Sequence, residues 1–276
     1  MPLISGQLIA KRVEEETKKH VEELTQKGIT PVLAVVLVGD DKPSLSYIRR
    51  KEQAAKRVGI QFELHQFPEQ TTTEELCTAL ESIQSTERIS GIIVQLPLPS
   101  HISASAAINA IEPRYDVDCM TDTNLGKVVT GTATIFPPIA EAVLDIVKDQ
   151  HIELSGKNVT IIGTGHLVGR PVSLVLLNTD ASVTTCNRAT IDLKEKCLGA
   201  DIIISGVGKK HLLTEDMVRP HALVIDTGVS FEEEKMFGDA DVDSIASKAF
   251  VTPTPGGIGP ITVAELLANV AKMAHR

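Results

Sequence analysis

The stretch NVTIIGTGHLVGRPVSLVLL, residues 158–177, decides the fold. Its β-branched start reads as a buried strand, and the apolar spacing after Gly169 reads as a helix to about residue 177. Between them stand Gly163, Gly165 and Gly169, with Thr164, His166 and Val168 in the same loop. Strand, glycine loop and helix in that order meet the needs of a dinucleotide site. Glycines let backbone amides approach a pyrophosphate, and the helix N-terminus supplies positive potential. The spacing is GxGxxxG, looser than GxGxxG, and the same glycines also suit tight turns of an α/β sheet without a ligand.

Working outward, the rhythm of strand and helix continues in both directions. Downstream, ASVTTC (181–186), DIIISGVG (201–208) and ALVIDTGV (222–229) read as further strands, and TPTPGGIGP (252–260) leads into a closing helix from about 261 to 274. Upstream, residues 5–27 carry Leu8, Ile9, Val13, Val21 and Leu24 at helical spacing, with Ser5 as cap and Gly28 as stop. PVLAVVLVG (31–39), QFELHQF (61–67) and GIIVQL (91–96) read as strands, separated by helices at SLSYIRRKEQAAKR (44–57) and TTEELCTALESIQ (72–84). This alternation implies parallel sheets. Around 112–138 it breaks into a turn-rich polar stretch ending in FPP, expected as a connection between domains. The reading is therefore a two-domain α/β protein, residues 1–120 and 121–276.

Bulk composition narrows the partners. With 276 residues, 27 basic against 36 acidic side chains and a formal charge of -9, the chain is not built for unspecific attraction to nucleic acid or an anionic membrane. Small molecules are the expected ligands. Cys77, Cys119, Cys186 and Cys197 show no CxxC spacing, and the eight histidines form no HExxH-like cluster, so reduced thiols and no metal site are expected. No charged head followed by an apolar run opens the sequence, and no segment reaches about eighteen apolar residues, which makes a cytoplasmic protein the expectation.

Two groups of residues carry chemistry. After the second strand of the glycine-loop unit the chain reads TTCNRAT, with no carboxylate to bind ribose hydroxyls. Arg188, next to Asn187, would pair with a 2′-phosphate, which favours NADP with NAD still possible; the alternative is a solvated loop charge. In the first half, Tyr47 and Lys51 lie four apart on one helix face and project toward one crevice. Arg49 and Arg50 are expected to hold the local potential positive and favour a neutral Lys51, able to act as a base. Gln95 ends its strand where doubly wound sheets keep their ligand crevice, within reach of the lysine amine, and Pro97 and Pro99 stiffen the turn beyond. A snorkelling surface pair, a loop hydrogen-bonder, and two turn formers at Asp116 and Asp118 are the bland alternatives.

Taken together, SLSYIRRK, GIIVQLPLP, the DVD of 116–118, LSGKNVTIIG, LVGRP, ADIIISGVGK, GDADVD and TPTPGGIGPIT followed by LLAN resemble the bifunctional methylenetetrahydrofolate dehydrogenase/methenyltetrahydrofolate cyclohydrolase family, the FolD-type enzymes, over nearly the whole chain. The resemblance implies an N-terminal α/β folate-binding domain and a C-terminal Rossmann-like NAD(P)-binding domain with a parallel sheet, the helix at about 260–276 packing back on the first domain. It implies that Tyr47, Lys51, Gln95 and Asp118 form the catalytic set, with Ser44, Leu96 and Pro97 on the substrate rim. Pro255, Gly256, Gly257, Pro260 and Thr262 would border substrate and nicotinamide. On the cofactor side it implies Gly163, Thr164, Gly165, His166, Val168 and Gly169, then Asn187 and Arg188, then Val207, Gly208, Gly228 and Val229.

The implied chemistry is NADP-dependent oxidation of 5,10-methylenetetrahydrofolate, then hydrolysis of the methenyl product to 10-formyltetrahydrofolate, in a homodimer joined through its cofactor domains. The sequence departs from the family pattern at Tyr115 and Cys119 around DVD, at Gly163–Thr164–Gly165 where the family has GRS, at the PPIA of 137–140 in place of PCTP, and at Cys186–Asn187–Arg188. All four touch the substrate rim or cofactor side, and the lysine constellation is intact. A short-chain dehydrogenase also places Tyr and Lys four apart, but with the glycine loop first in the chain. A monofunctional cyclohydrolase without hydride transfer, and a non-catalytic folate- or nucleotide-binding protein, remain the alternatives.

Overall fold

The run VLAVVLV folds as β1 (Val32–Val38), buried at every position, in the computed structural model, which describes residues 3–86, 88–233 and 235–274. Its β-branched residues suit a central strand covered on both faces. α1 (Gly6–Gln26) precedes it, and α2 (Lys42–Val58), β2 (Gln61–Phe67), α3 (Thr73–Gln84) and β3 (Gly91–Val94) follow. The three strands form one parallel sheet in the order β2-β1-β3. Alternate residues Val32, Ala34, Val36 and Val38 meet Leu76, Leu80 and Ile83 of α3 and Ile92 and Val94 of β3 in one apolar core. β1 thus has the later strands on either side, and the crevice of such a sheet opens at the carboxyl ends of β1 and β3.

The stretch 112–138, expected as a connection, is instead built into this part of the chain. After α4 (Ala104–Asn109), residue Asp116 makes a parallel bridge to Ile92 of β3, and α5 (Asp122–Val129) starts on a Thr121 cap. The sequence hid this because Asp116, four residues before Met120, acts through side-chain bonds rather than through an apolar period. A further helix, α6 (Pro138–Asp149), was not read from the sequence, although Ala142, Val143, Ile146 and Val147 are buried at helical spacing.

The chain divides into two compact units: one holds Arg12–Pro138 and Val263–Arg276, the other Met1–Lys11 and Ile139–Thr262. Residues 121–138 therefore pack with residues 12–120. The second unit contains β4 (Asn158–Ile162), α7 (Gly169–Leu176), β5 (Ser182–Cys186), α8 (Leu193–Leu198), β6 (Ile202–Ser205) and β7 (Leu223–Asp226). A hairpin of β8 (Ser230–Glu232) and β9 (Lys235–Phe237), then α9 (Val242–Ile245), β10 (Phe250–Val251) and the start of α10 (Ile258–Met273) complete it. Five strands pair in parallel in the order β10-β7-β6-β4-β5, so the order reverses at β4. The hairpin and β10 were not separated in the sequence reading, because two- and three-residue strands carry no period. The part of α10 beyond residue 262 packs with the first unit's residues, where Asn269 Nδ2 donates to the carbonyls of Val117 at 3.0 Å and Phe136 at 2.9 Å. No helix of the described residues is long and apolar enough to cross a membrane.

Candidate active site

In the first unit, α2 presents Tyr47 and Lys51 one turn apart, both half-buried. The helix is held at its start by Asp41, which accepts from the Ser44 amide at 2.9 Å and from Ser44 Oγ at 2.7 Å, and at its end by Gly59 in the left-handed region at φ 84°. Ser44, expected on the substrate rim, is buried and spends its hydroxyl on this cap. Lys51 Nζ donates to Gln95 Oε1 at 3.1 Å, and Gln95 Nε2 donates in turn to the Leu96 carbonyl at 2.7 Å. Gln95 is itself seated by its backbone amide, which donates to Val36 of β1 at 2.8 Å. The amide is thus oriented from both sides, oxygen toward the lysine. Pro97, after a cis Leu96–Pro97 peptide, stands exposed at the turn.

The two aspartates of DVD, alike in sequence, separate in the structure. Asp116 is buried and accepts from the Met120 amide, the Thr121 amide and hydroxyl, and Asn124 Nδ2, at 2.7 to 3.0 Å. It is the turn former. Asp118 makes no hydrogen bond among the described residues and is half-buried beside Lys51. Cys119, where the family has glycine, takes φ 55°, the left-handed region that glycine adopts without cost, and its thiol sits against the Ile135 carbonyl at 3.5 Å. Burial pushes that thiol up to about 12, with Asp116 and Asp118 adding to it, so it is an unreactive group.

Electrostatics single out the Lys51–Asp118 pair. Burial lowers the Lys51 pKa from its ordinary 10.5, and Asp118 opposes that shift. Burial raises the Asp118 pKa, Lys51 opposes it and Asp116 adds to it. Surface exposure leaves each side chain partly open, yet enough protein surrounds them for desolvation to outweigh their mutual attraction. Arg49 and Arg50, expected to depress Lys51, are exposed and do not contribute: Arg50 lies over the Tyr47 ring at 5.7 Å. The lysine is tuned by where it sits, not by neighbouring cations.

In the second unit three loops meet at the carboxyl ends of β4, β6 and β7. Gly163 follows β4 at φ 100°, and a Cβ there would lie 2.8 Å from the Gly206 carbonyl and 3.0 Å from Val207 Cγ1. A Cβ at Gly169 would lie 1.9 Å from the Gly163 carbonyl, so α7 starts directly against the loop. At Gly165 nothing lies within 4 Å of such a Cβ, and Val168 offers α7 no side-chain cap. A glycine cradle opening on free space, above a helix start without a side-chain cap, fits a dinucleotide pyrophosphate. Arg170 Nη1 contacts the His166 ring at 2.9 Å, and its Nε donates to the Thr164 carbonyl at 3.2 Å. After β5, Asn187 Oδ1 accepts from the Ala189 amide at 2.9 Å, and the Asn187 amide donates to Thr190 Oγ1 at 2.8 Å. That turn leaves Arg188 exposed, with no ion pair or hydrogen bond among the described residues. Val207 and Val229, at the ends of β6 and β7, are exposed, and a Cβ at Gly208 would lie 3.1 Å from the Val229 carbonyl.

The loop 255–262 belongs to this second unit, with Gly256 at φ 100° and accepting from the Gly6 amide at 3.0 Å. Glycine is needed here for a close approach within the protein: a Cβ at Gly6 would lie 1.7 Å from the Gly257 carbonyl. Thr262 Oγ1 donates to the Ile258 carbonyl at 3.2 Å, while Pro255 follows a cis Thr254–Pro255 peptide and Pro260 lies in the first turn of α10. Sequence reasoning missed Asp226 and Asp239, two buried carboxylates that accept from the turns after β6 and β7. The available signal was an acidic residue ending an otherwise apolar strand, VID, and the unassigned GDAD.

Comparison with known proteins settles the family. Residues 4–118 match the catalytic-domain model of tetrahydrofolate dehydrogenase/cyclohydrolase, and residues 137–276 match its NAD(P)-binding-domain model. The chain belongs to the tetrahydrofolate dehydrogenase/cyclohydrolase family. It is 40% identical to the bifunctional protein FolD of Nautilia profundicola, over 99% of this chain and 97% of that one. Among solved structures, bifunctional FolD of Campylobacter jejuni superposes with a TM-score of 0.97 at 36% identity, over 100% of this chain and 99% of that one. The Trypanosoma brucei methylenetetrahydrofolate dehydrogenase-cyclohydrolase, solved with NADP and an inhibitor, gives 0.95 at 33% identity, with the same coverage. The family membership agrees with the fold expected from the sequence, an α/β catalytic domain and an NAD(P)-binding domain with a parallel sheet.

Proposed function

We propose that this protein oxidises 5,10-methylenetetrahydrofolate to the methenyl form with NADP and hydrolyses the methenyl form to 10-formyltetrahydrofolate, as a cytoplasmic homodimer. The observation that carries the reading is the Lys51–Gln95 hydrogen bond beside a free Asp118 carboxylate, in a chain with both family domains. In hydrolysis, water adds to the methenyl carbon, and a neutral Lys51 Nζ takes the proton that water loses. The adduct's hydroxyl then loses its proton as its oxygen becomes the formyl carbonyl and the carbon–N5 bond breaks. The protonated amine gives N5 the proton it took, and the hydroxyl proton leaves to solvent as the one proton that hydrolysis releases. Burial, which lowers the Lys51 pKa, makes the neutral amine accessible, and Gln95 Oε1 keeps it aimed. Asp118 offers two acceptor oxygens to adjacent N–H donors of the pterin, a fixed bidentate match. Tyr47, whose hydroxyl is unbonded among the described residues, supplies a flat surface one turn away for stacking.

NADP, when bound, supplies the hydride acceptor. The chain holds it with the amides of the Gly163–Gly169 cradle, with the exposed Val207 and Val229, and with Arg188 at the 2′-phosphate. NADP is preferred over NAD on this reading because no carboxylate immediately follows β5 and a guanidinium without a partner among the described residues does. Pro255, Gly256, Gly257, Pro260 and Thr262 border the folate and nicotinamide on this reading, and residues 12–138 act as the folate domain.

The deciding experiment follows absorbance with 5,10-methylenetetrahydrofolate plus NADP, then NAD, and separately follows decay of methenyltetrahydrofolate without nucleotide. Reduced nucleotide together with methenyl decay is the expected result. Decay alone would leave a monofunctional cyclohydrolase, and neither would leave a binding protein. Lys51→Met is expected to slow methenyl decay by about 100-fold or more, the ordinary worth of a positioned acid–base group, while hydride transfer stays measurable. Retention of both activities would mean the wrong lysine.

A further inference from the structure

Beneath the loops assigned to the dinucleotide lie two carboxylates, Asp226 at the end of β7 and Asp239 after β9, both fully buried. Neither makes an ion pair among the described residues. Asp239 accepts from Val207 N at 2.8 Å, Lys209 N at 2.7 Å and Ser205 Oγ at 2.7 Å. Asp226 accepts from Gly228 N at 2.9 Å, Asp239 N at 3.0 Å and Ala240 N at 2.9 Å. The two are chained: Asp226 fixes the backbone of Asp239, and Asp239 fixes the turn after β6. Two glycines make room for them, since a Cβ at Gly228 would lie 2.1 Å from Asp239 Oδ1 and one at Gly238 1.9 Å from Asp226 Oδ2.

We propose that Asp239, seated by Asp226, is a positioning residue that shapes the Val207–Lys209 and Gly228–Val229 turns to receive the dinucleotide. Five of the six bonds come from backbone amides of these turns and of the segment that carries Asp239. They fix where Val207 and Val229 emerge at the surface, 43% and 41% exposed, at the strand ends where such sheets bind ligands. Stability alone does not explain the pair, because two adjacent buried acids without a cation cost more than apolar residues of similar size. Burial pushes the Asp226 carboxyl up to about 6, and the neighbouring Asp239 adds to that cost. The alternative, a purely structural clamp, predicts loss of stability without selective loss of nucleotide.

This inference rests on the dinucleotide reading of the loops, and the test separates the two. NADP binding is titrated calorimetrically to the full-length protein, and methenyl hydrolysis without nucleotide is measured alongside. Asp239→Asn keeps an acceptor for Ser205 and Val207 but turns an NH2 toward the Lys209 amide. We expect NADP Kd to rise about tenfold or more, the effect of a lost charge-assisted hydrogen bond, with methenyl hydrolysis within about twofold. Thr160→Ala, a buried residue of β4 whose hydroxyl donates to the Lys196 carbonyl at 3.0 Å and touches neither aspartate, should leave NADP Kd within about twofold and so rule out a general core effect. An unchanged NADP Kd in Asp239→Asn, or parallel loss of binding and hydrolysis, overturns the inference. Should that variant not fold, Asp226→Asn decides by the same two readouts. Wild-type protein that binds neither NADP nor NAD would overturn the dinucleotide reading and this inference with it.

Discussion

Lys51 and Asp118 are coupled in a way that sets a pH dependence with a definite sign. Because burial lowers the Lys51 pKa below its ordinary 10.5, methenyl hydrolysis should rise with pH through an inflection below that value, as the amine loses its proton. Asp118 opposes the shift, so Asp118→Asn removes a negative neighbour, lowers the Lys51 pKa further and moves the inflection to lower pH. A pH–rate profile of the two proteins at saturating folate checks this; an inflection that moves up would exclude Lys51 as the titrating base. Arg188 makes a second residue-level prediction. Its exposed guanidinium lacks a described partner, so Arg188→Ala should raise NADP Kd by about tenfold and leave NAD nearly unchanged, as expected for one charge-assisted phosphate contact. Equal effects on both nucleotides would remove Arg188 as the 2′-phosphate reader. Which aspartate of DVD is free was not legible in the sequence: Asp116 and Asp118 differ only in what the fold brings to them, four donors to one and none to the other.

At the scale of elements, the glycine loop and α7 act as one piece. A methyl at Gly169 would meet the Gly163 carbonyl at 1.9 Å, and backbone cannot yield as a side-chain tip can. Gly169→Ala should therefore cost about 2–3 kcal/mol, the upper range for overpacking, and weaken NADP binding by displacing the helix start. Gly165→Ala, with nothing within 4 Å, should be nearly neutral for stability yet intrude on the space for phosphates. Denaturant unfolding and NADP titration of both variants check this pair, and equal stability losses would show that the two glycines play the same part. The strands were legible because their apolar runs are long: 31–39 became Val32–Val38, and 61–67 came out as Gln61–Phe67. GIIVQL shortened to Gly91–Val94, since beyond it Gln95 leaves the ladder with β1 after one last amide bond and turns at Pro97. Helices 138–149 and 122–129 were missed because proline and polar residues mark their starts as loop, while Thr121 and buried contacts supply what propensity lacks.

For the whole molecule, the charge of -9 and the apolar side chains near one sheet edge bear on assembly. β5 is an edge strand, and Leu177, Ile191 and Leu198, close to it in sequence, are 67%, 79% and 40% exposed. An edge strand and exposed apolar groups close to it in sequence favour pairing. Sedimentation equilibrium at micromolar protein should give twice the chain mass of 29.7 kDa, and the double variant Leu177→Lys, Ile191→Asp should give the single chain. A wild-type monomer under those conditions would refute the homodimer.

The sequence by itself determined the alternation of strand and helix, the glycine loop, the family, and the Tyr47–Lys51–Gln95 group. These depend on spacing and residue type, which a linear reading retains. Tertiary structure alone decided that Lys51 is tuned by burial rather than by Arg49 and Arg50, and that Ser44 serves a helix cap. It alone decided that Asp116 is consumed by hydrogen bonds while Asp118 makes none among the described residues, and that Asp226 and Asp239 accept from the backbone of the turns after β6 and β7. Desolvation and hydrogen-bond partners belong to the three-dimensional surroundings of a group, and residues far apart in sequence, such as Ser205 and Asp239, meet only when the chain is folded.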